Sequence, residues 1–261
     1  MIDIEKSKIA FKNFVEKYKD EDMLSFKLKT VHTYHVAEAA KTIATKLGLS
    51  KEDIELAELI GLLHDIGRFD ELKITGGMDN SKFNHGMYGS KILFEDGLIR
   101  NFIEDNKYDD IIKRAVENHN KLHIDTDLTE RELLHVKIVR DADKLDNYRV
   151  KRQEKVESVF PGQVKSSEEI ENSKISDEVF ETILNKRLVD IHDRHYPLDY
   201  WLCILAFVFD MYFPVTFQMM KDQDNINAVI DKFEYKVEDT KQKMEIIRKV
   251  ANDFISENAN K

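Results

Sequence analysis

Apolar residues recur every three or four positions along most of the chain, the spacing of a helical face rather than the alternation of a strand. Over residues 4–19 the stripe is Ile4, Ile9, Phe11, Phe14, Val15 and Tyr18; over 27–47 it is Val31, Val36, Ala39, Ala40, Ile43 and Leu47, with Gly48 as a stop. Ser50, followed three residues later by Asp53, predicts the start of a third helix. Its Ile54, Ala57, Leu59, Ile60, Leu62 and Leu63 leave almost no polar face, so it should lie centrally. Six of the nine glycines fall between Gly61 and Gly89, which predicts a loop over 66–80. Helices are expected again over 81–95 and 108–120, the latter aligning Ile111, Ala115 and His119 at intervals of four. Thr129 and Glu132 form a capping-box pattern that opens a strong helix reaching about Tyr148.

The pattern weakens over 151–176, which is charged and serine-bearing and reads as a linker or lid. From Asp177 onward about four more helices are expected, the last over about 235–254 with Val237, Met244, Ile247, Val250 and Phe254 as its apolar face. Tyr200 to Met220 carries no charge except Asp210, and its length suits a membrane span. Asp210 would then sit near the bilayer centre, Pro214 would interrupt the span, and the basic flanks are weak. A buried helix begun by Pro197, broken near Pro214 and holding a paired Asp210 is the better reading.

Composition narrows the class. With 3 Pro and 9 Gly in 261 residues, the chain lacks the turns that a sandwich or barrel needs, and an all-α fold is expected. A content of 42% hydrophobic residues supports a sizeable core, and the length suits one or two domains. The formal charge of -10 argues against general nucleic-acid binding and against an anionic membrane surface. An anionic ligand must therefore meet a local cationic site. The lone Cys203 excludes an internal disulfide and a cysteine metal cage. Nothing near Met1 resembles a signal peptide, so the cytoplasm is the expected compartment.

The candidate chemistry lies in histidines and aspartates set on or at the ends of apolar helices. HTYHVAEAA carries His32, GLLHDIG the adjacent His64 and Asp65, NHGMYG His85, ENHN His119 and RDADKLD Asp143. His32 lies four residues before Val36, and Asp143 four after Val139, so both fall on faces that otherwise bury. Burying several imidazoles and carboxylates is costly unless they are paired or hold a metal. A lone histidine such as His85 or His119 is, by itself, more often a hydrogen-bonded core residue. The tandem His64-Asp65 is more specific. Here the sequence resembles the HD superfamily of metal-dependent phosphohydrolases over about residues 27–150. The family's pattern of His, His-Asp and Asp falls on His32, His64, Asp65 and Asp143.

The resemblance implies an all-helical HD bundle, taken as residues 1–150. It does not reach the C-terminal half, where the apolar run around Trp201 to Phe213 is too hydrophobic to stand alone in water, so a helical extension over 177–261 is expected to pack on the bundle as one unit. Some branches of the superfamily, the HD-GYP phosphodiesterases and the di-iron oxygenases among them, add two histidines where His85 and His119 stand. That implies six protein ligands for two divalent ions, with Asp65 as the bridge. Fe or Mn suits such mixed nitrogen and oxygen donors better than Mg; Ni, Co and Zn are further candidates. His35 competes with His32 on the same helix; the family register selects His32 and leaves His35 as a substrate contact or an exposed residue. Arg68, where the cyclic dinucleotide branch carries Lys, and Lys144 are expected to hold phosphate. The GYP element itself is absent. His192, Asp193 and His195 lack matching partners nearby, and a capped helix end or a pocket wall is expected there.

The expected activity is hydrolysis of a phosphate ester, on a nucleotide or another small phosphorylated molecule, by a metal-activated water. Asp65 and Arg68 would be its catalytic residues. No phosphate-cradling GxxxxGK[ST] loop or GxSxG elbow is present. The alternatives are a di-iron oxygenase on the same ligands and a regulatory module that keeps its metal without turnover.

Overall fold

In the computed structural model the described residues, 2–19, 23–75 and 83–261, contain helices and turns and no strand. They divide into two compact units, residues 1–143 and 144–261. The division falls within one long helix, Glu130–Gln153.

In the first unit, α1 (Ile4–Val15) is capped by the Asp3 side chain and buries Ser7, Phe11 and Phe14; Tyr18 is buried in the single 3-10 turn that follows. Ile9, expected on that face, is exposed. α2 (Met23–Lys46) buries His32, Thr33, Val36, Ala37, Ala40, Ile43 and Ala44, whereas Val31 turns outward. Gly48 ends it at a φ of 70° that favours glycine. α3 (Lys51–Leu63) starts where the Ser50 oxygen accepts from the Asp53 amide, and every residue from Leu56 to Leu63 is buried. It is the central helix that its unbroken apolar pattern predicts, packed against α1 and α2.

The loop expected over 66–80 is instead helical as α4 (Ile66–Thr75), and residues 76–82 lie outside those described. Phe69 sits among Phe11, Phe14, Tyr18 and Phe26, with ring centroids 5.6–6.3 Å away, and this apolar anchor outweighs the glycine-rich composition. Gly67 marks a close contact rather than a turn. A Cβ there would lie 2.3 Å from the His85 carbonyl oxygen, so only glycine lets α4 meet α5 (His85–Ser90). A wider π turn over 91–95 continues α5. α6 (Asp109–Asn118) and α7 (Glu130–Gln153) follow, and the Thr129 and Glu132 capping box forms as its spacing predicts.

The second unit begins inside α7. Residues 151–176, expected as linker or lid, contribute α8 (Val156–Val159) and α9 (Ser167–Glu171), and they bury Val156, Val159, Phe160, Val164, Ile170 and Ile175. These apolar residues are spaced too unevenly among charges to register as a stripe. Five longer helices follow where about four are expected: α10 (Asp177–Leu184), α11 (Pro197–Leu205), α12 (Pro214–Asp222), α13 (Asn225–Ile230) and α14 (Glu238–Ala259). Pro197 and Pro214 each stand in a first helical turn, so the apolar run is divided where proline dictates. No helix among the described residues is long and apolar enough to cross a membrane. Trp201 is fully buried beside Phe160 and Phe233, its indole nitrogen donating to the Val229 carbonyl at 3.2 Å. Asp199, also buried, accepts from the Ser176 hydroxyl and from the amides of Ser176, His195 and Tyr196.

Candidate metal centre

Five segments of the first unit carry six side chains to two adjoining groups. α2 presents His32, the turn after α3 presents His64 and Asp65, α5 opens on His85, His119 closes α6, and α7 presents Asp143. His32, His64 and Asp143 form one group, and Asp65, His85 and His119 the other, the ligand atoms in each lying within 4.8 Å of one another. All are buried except Asp143, which is partly exposed.

Local backbone geometry sets which ring atom faces inward. His64 donates from Nδ1 to the Gly61 carbonyl at 2.7 Å, and His119 makes the same bond to the Val116 carbonyl at 2.7 Å. Each ring sits at a helix C-terminus and satisfies a carbonyl of its own last turn. A proton on Nδ1 leaves Nε2 as the lone-pair atom, and both Nε2 atoms point into the cluster. The His64 Nε2 is buried and hydrogen-bonds to nothing among the described residues.

Distances connect the groups through Asp65. Its Oδ2 lies 3.6 Å from His64 Nε2 and 3.8 Å from His32 Nε2, and its Oδ1 lies 3.3 Å from His85 Nε2 and 3.5 Å from His119 Nε2. Asp143 Oδ1 is 3.0 Å from His32 Nε2 and 3.8 Å from His64 Nε2. The Nε2 atoms of His85 and His119 are only 3.1 Å apart. Two bonds of about 2.1 Å meeting at a right angle span about 3 Å, so these separations suit donors to a common ion. The donor set fits divalent metals: neutral imidazoles and ionised carboxylates, converging with their lone pairs inward.

Electrostatics reinforces that state. Burial pushes the His64 imidazole down to about 4, against the partial relief of Asp65 and Asp143. Burial and then the Arg68 guanidinium hold His85 well below its ordinary range. Burial alone would raise the Asp65 carboxyl, but Lys29, His64, His119 and Arg68 together hold it well below the usual carboxylate range.

The remaining sequence candidates divide. Arg68 reaches the centre: its Nη2 is 3.2 Å from His85 Nε2 and its Nε 3.8 Å from Asp65 Oδ1, while Nη1 donates to Glu71 at 2.6 Å. The Lys144 ammonium meets the Asp210 carboxylate at 2.7 Å in the second unit, which also supplies the partner expected for Asp210. His35 is exposed, whereas His32 three residues earlier is buried. His192 and His195 are exposed, and the Asp190 side chain caps the His192 amide.

Two neighbours of the centre were not read from the sequence. Lys29 donates to Asp65 Oδ2 at 2.7 Å with its side chain only 16% exposed; its spacing of three residues before His32 was the available signal. Glu71, fully buried, lies 3.6 Å from His85 Nδ1 behind the ring, and nothing in its sequence context distinguishes it from a surface glutamate.

No curated protein and no solved structure matches the chain. A family model does: the HD domain, over residues 30–148. That span contains every one of the six converging side chains, and over it the chain is similar to the HD domain family.

Proposed function

We propose that the chain is a two-ion, metal-dependent phosphohydrolase acting on a small phosphorylated molecule such as a nucleotide. The HD superfamily is one of metal-dependent hydrolases, and the observation that carries the finer reading is the division of Asp65 between the groups, one carboxylate oxygen toward each. One ion would be held by His32, His64, Asp65 and Asp143, the other by Asp65, His85 and His119, with Fe or Mn favoured by the mixed donors. When bound, such ions supply an activated water for attack on phosphorus and neutralise charge on the phosphoryl oxygens.

The chain supplies the rest. His64 and His119 hold their protons on Nδ1 and away from the reacting centre. Lys29 and Arg68 flank Asp65 as the cations available to phosphoryl oxygens, Glu71 holding the Arg68 fork in place. Lys29 joins Arg68 in the part expected of Lys144, which meets Asp210 at 2.7 Å. No protein nucleophile is needed, and the partner is a small anion rather than a nucleic acid.

The test is a phosphate-release screen on nucleotides and phosphodiesters with Mn²⁺, Fe²⁺, Co²⁺, Ni²⁺, Zn²⁺ or Mg²⁺. Asp65→Ala should lose metal and turnover together. Metal-loaded protein that releases no phosphate from any substrate would overturn the reading. Oxygen consumption by the iron form would then identify an oxygenase, and neither activity a binding module.

A further inference from the structure

His119 ends a helix, and a helix end is ordinarily a loose place on which to mount a metal ligand. The last carbonyls of a helix lack amide partners and carry the negative end of its dipole. In this chain they meet Arg140, a residue of α7 with 1% of its surface exposed. Its Nη1 donates to the carbonyls of Asn118 at 2.7 Å, His119 at 3.3 Å and Lys121 at 2.7 Å. The Asn118 side chain secures the same stretch, donating to the Arg114 carbonyl and to Asp125, and accepting from the Asp125 amide at 2.9 Å.

We propose that Arg140 is the positioning residue for His119: by gripping the carbonyls on both sides of that residue, it fixes the ring in the Nδ1-protonated form that aims Nε2 at the second ion. The inference rests on the two-ion reading only for its effect on metal; the state of the ring is set without it. Arg140 lies three residues before Asp143, so one helix both presents a ligand of the first group and braces a ligand of the second. Lysine cannot substitute. All three bonds leave from Nη1, which the planar guanidinium holds at a fixed position, whereas an ammonium is a point donor on a flexible stem. His64 is the internal control, having the same ring bond to the Gly61 carbonyl.

The experiment uses the full chain with Arg140→Lys, which keeps the buried charge, and Arg140→Gln, which keeps planar donors without it. Side-chain ¹⁵N spectra of the metal-free proteins at pH 8 report which ring nitrogen carries the proton, and Co²⁺ titration reports each binding step. In the wild type both His64 and His119 should be Nδ1-protonated. In the variants His119 should become a mixture of tautomers while His64 is unchanged, and the second Co²⁺ should weaken about 10–100-fold with the first little altered. A His119 signal and a second binding step that match wild type in both variants would overturn the role of Arg140. A wild type that takes up only one ion would overturn the two-ion reading instead, and the His119 tautomer alone would then decide the role of Arg140.

Discussion

His64 holds a proton weakly because its ring is sealed from water at the end of the central helix. Its value is pushed down to about 4 from the ordinary 6.5, so between those limits the unfolded chain takes up a proton that the folded chain refuses. The metal-free protein should therefore keep this contribution above pH 6.5 and lose it progressively toward pH 4, on the order of 3 kcal/mol in all. Thermal unfolding of the chelator-treated protein across that range checks the sign; a flat melting temperature would show that the ring is hydrated or charged. At this scale the six candidate ligands were legible because each interrupts an apolar pattern or stands in the tandem His-Asp. Lys29 and Glu71 were not, since a lysine or glutamate on a helix is ordinary until a neighbour from another helix gives it a purpose. The same holds for Lys144: its proximity to Asp143 in sequence says nothing of the Asp210 carboxylate that it meets.

The helices themselves followed from spacing, and the exception is instructive. Glycines near the His-Asp pair signalled a loop, yet Gly67 belongs to a helix whose anchor, Phe69, was one apolar residue in a stretch read by composition. Glycine frees the backbone to turn, but it also frees it to touch, and sequence does not distinguish the uses. Gly67→Ala tests the second. A methyl group 2.3 Å from the His85 carbonyl oxygen and 2.6 Å from the Gly89 amide nitrogen must force α4 from α5. We expect a loss of about 1–3 kcal/mol in urea unfolding of the metal-free protein, together with weaker binding at the group containing His85. Unaltered stability would mean that the two helices part more easily than their backbones suggest.

For the molecule as a whole, fold class was legible, and the two compact units divide inside α7, where the helical pattern runs on without a break and marks no boundary. Beyond Asp143 that helix belongs to the second unit: Leu145 and Tyr148 are buried, and the Tyr148 hydroxyl donates to the Leu205 carbonyl at 2.6 Å and accepts from the Val208 amide at 3.2 Å. A chain ended at Val150 keeps those residues and loses their partners. It should expose apolar surface, bind a hydrophobic dye and aggregate; a monodisperse product with full metal content and turnover would show that the first unit needs nothing beyond α7. The rings of His64 and His119 carry a different consequence. Each is oriented by a carbonyl of its own main chain, a group that no codon change can delete. Side chains around His64 can drift over generations while its donor atom keeps its aim, whereas His119 keeps its own only while Arg140 braces the carbonyls beside it, so a lineage that alters its substrate need not rebuild the first of these ligands to do so.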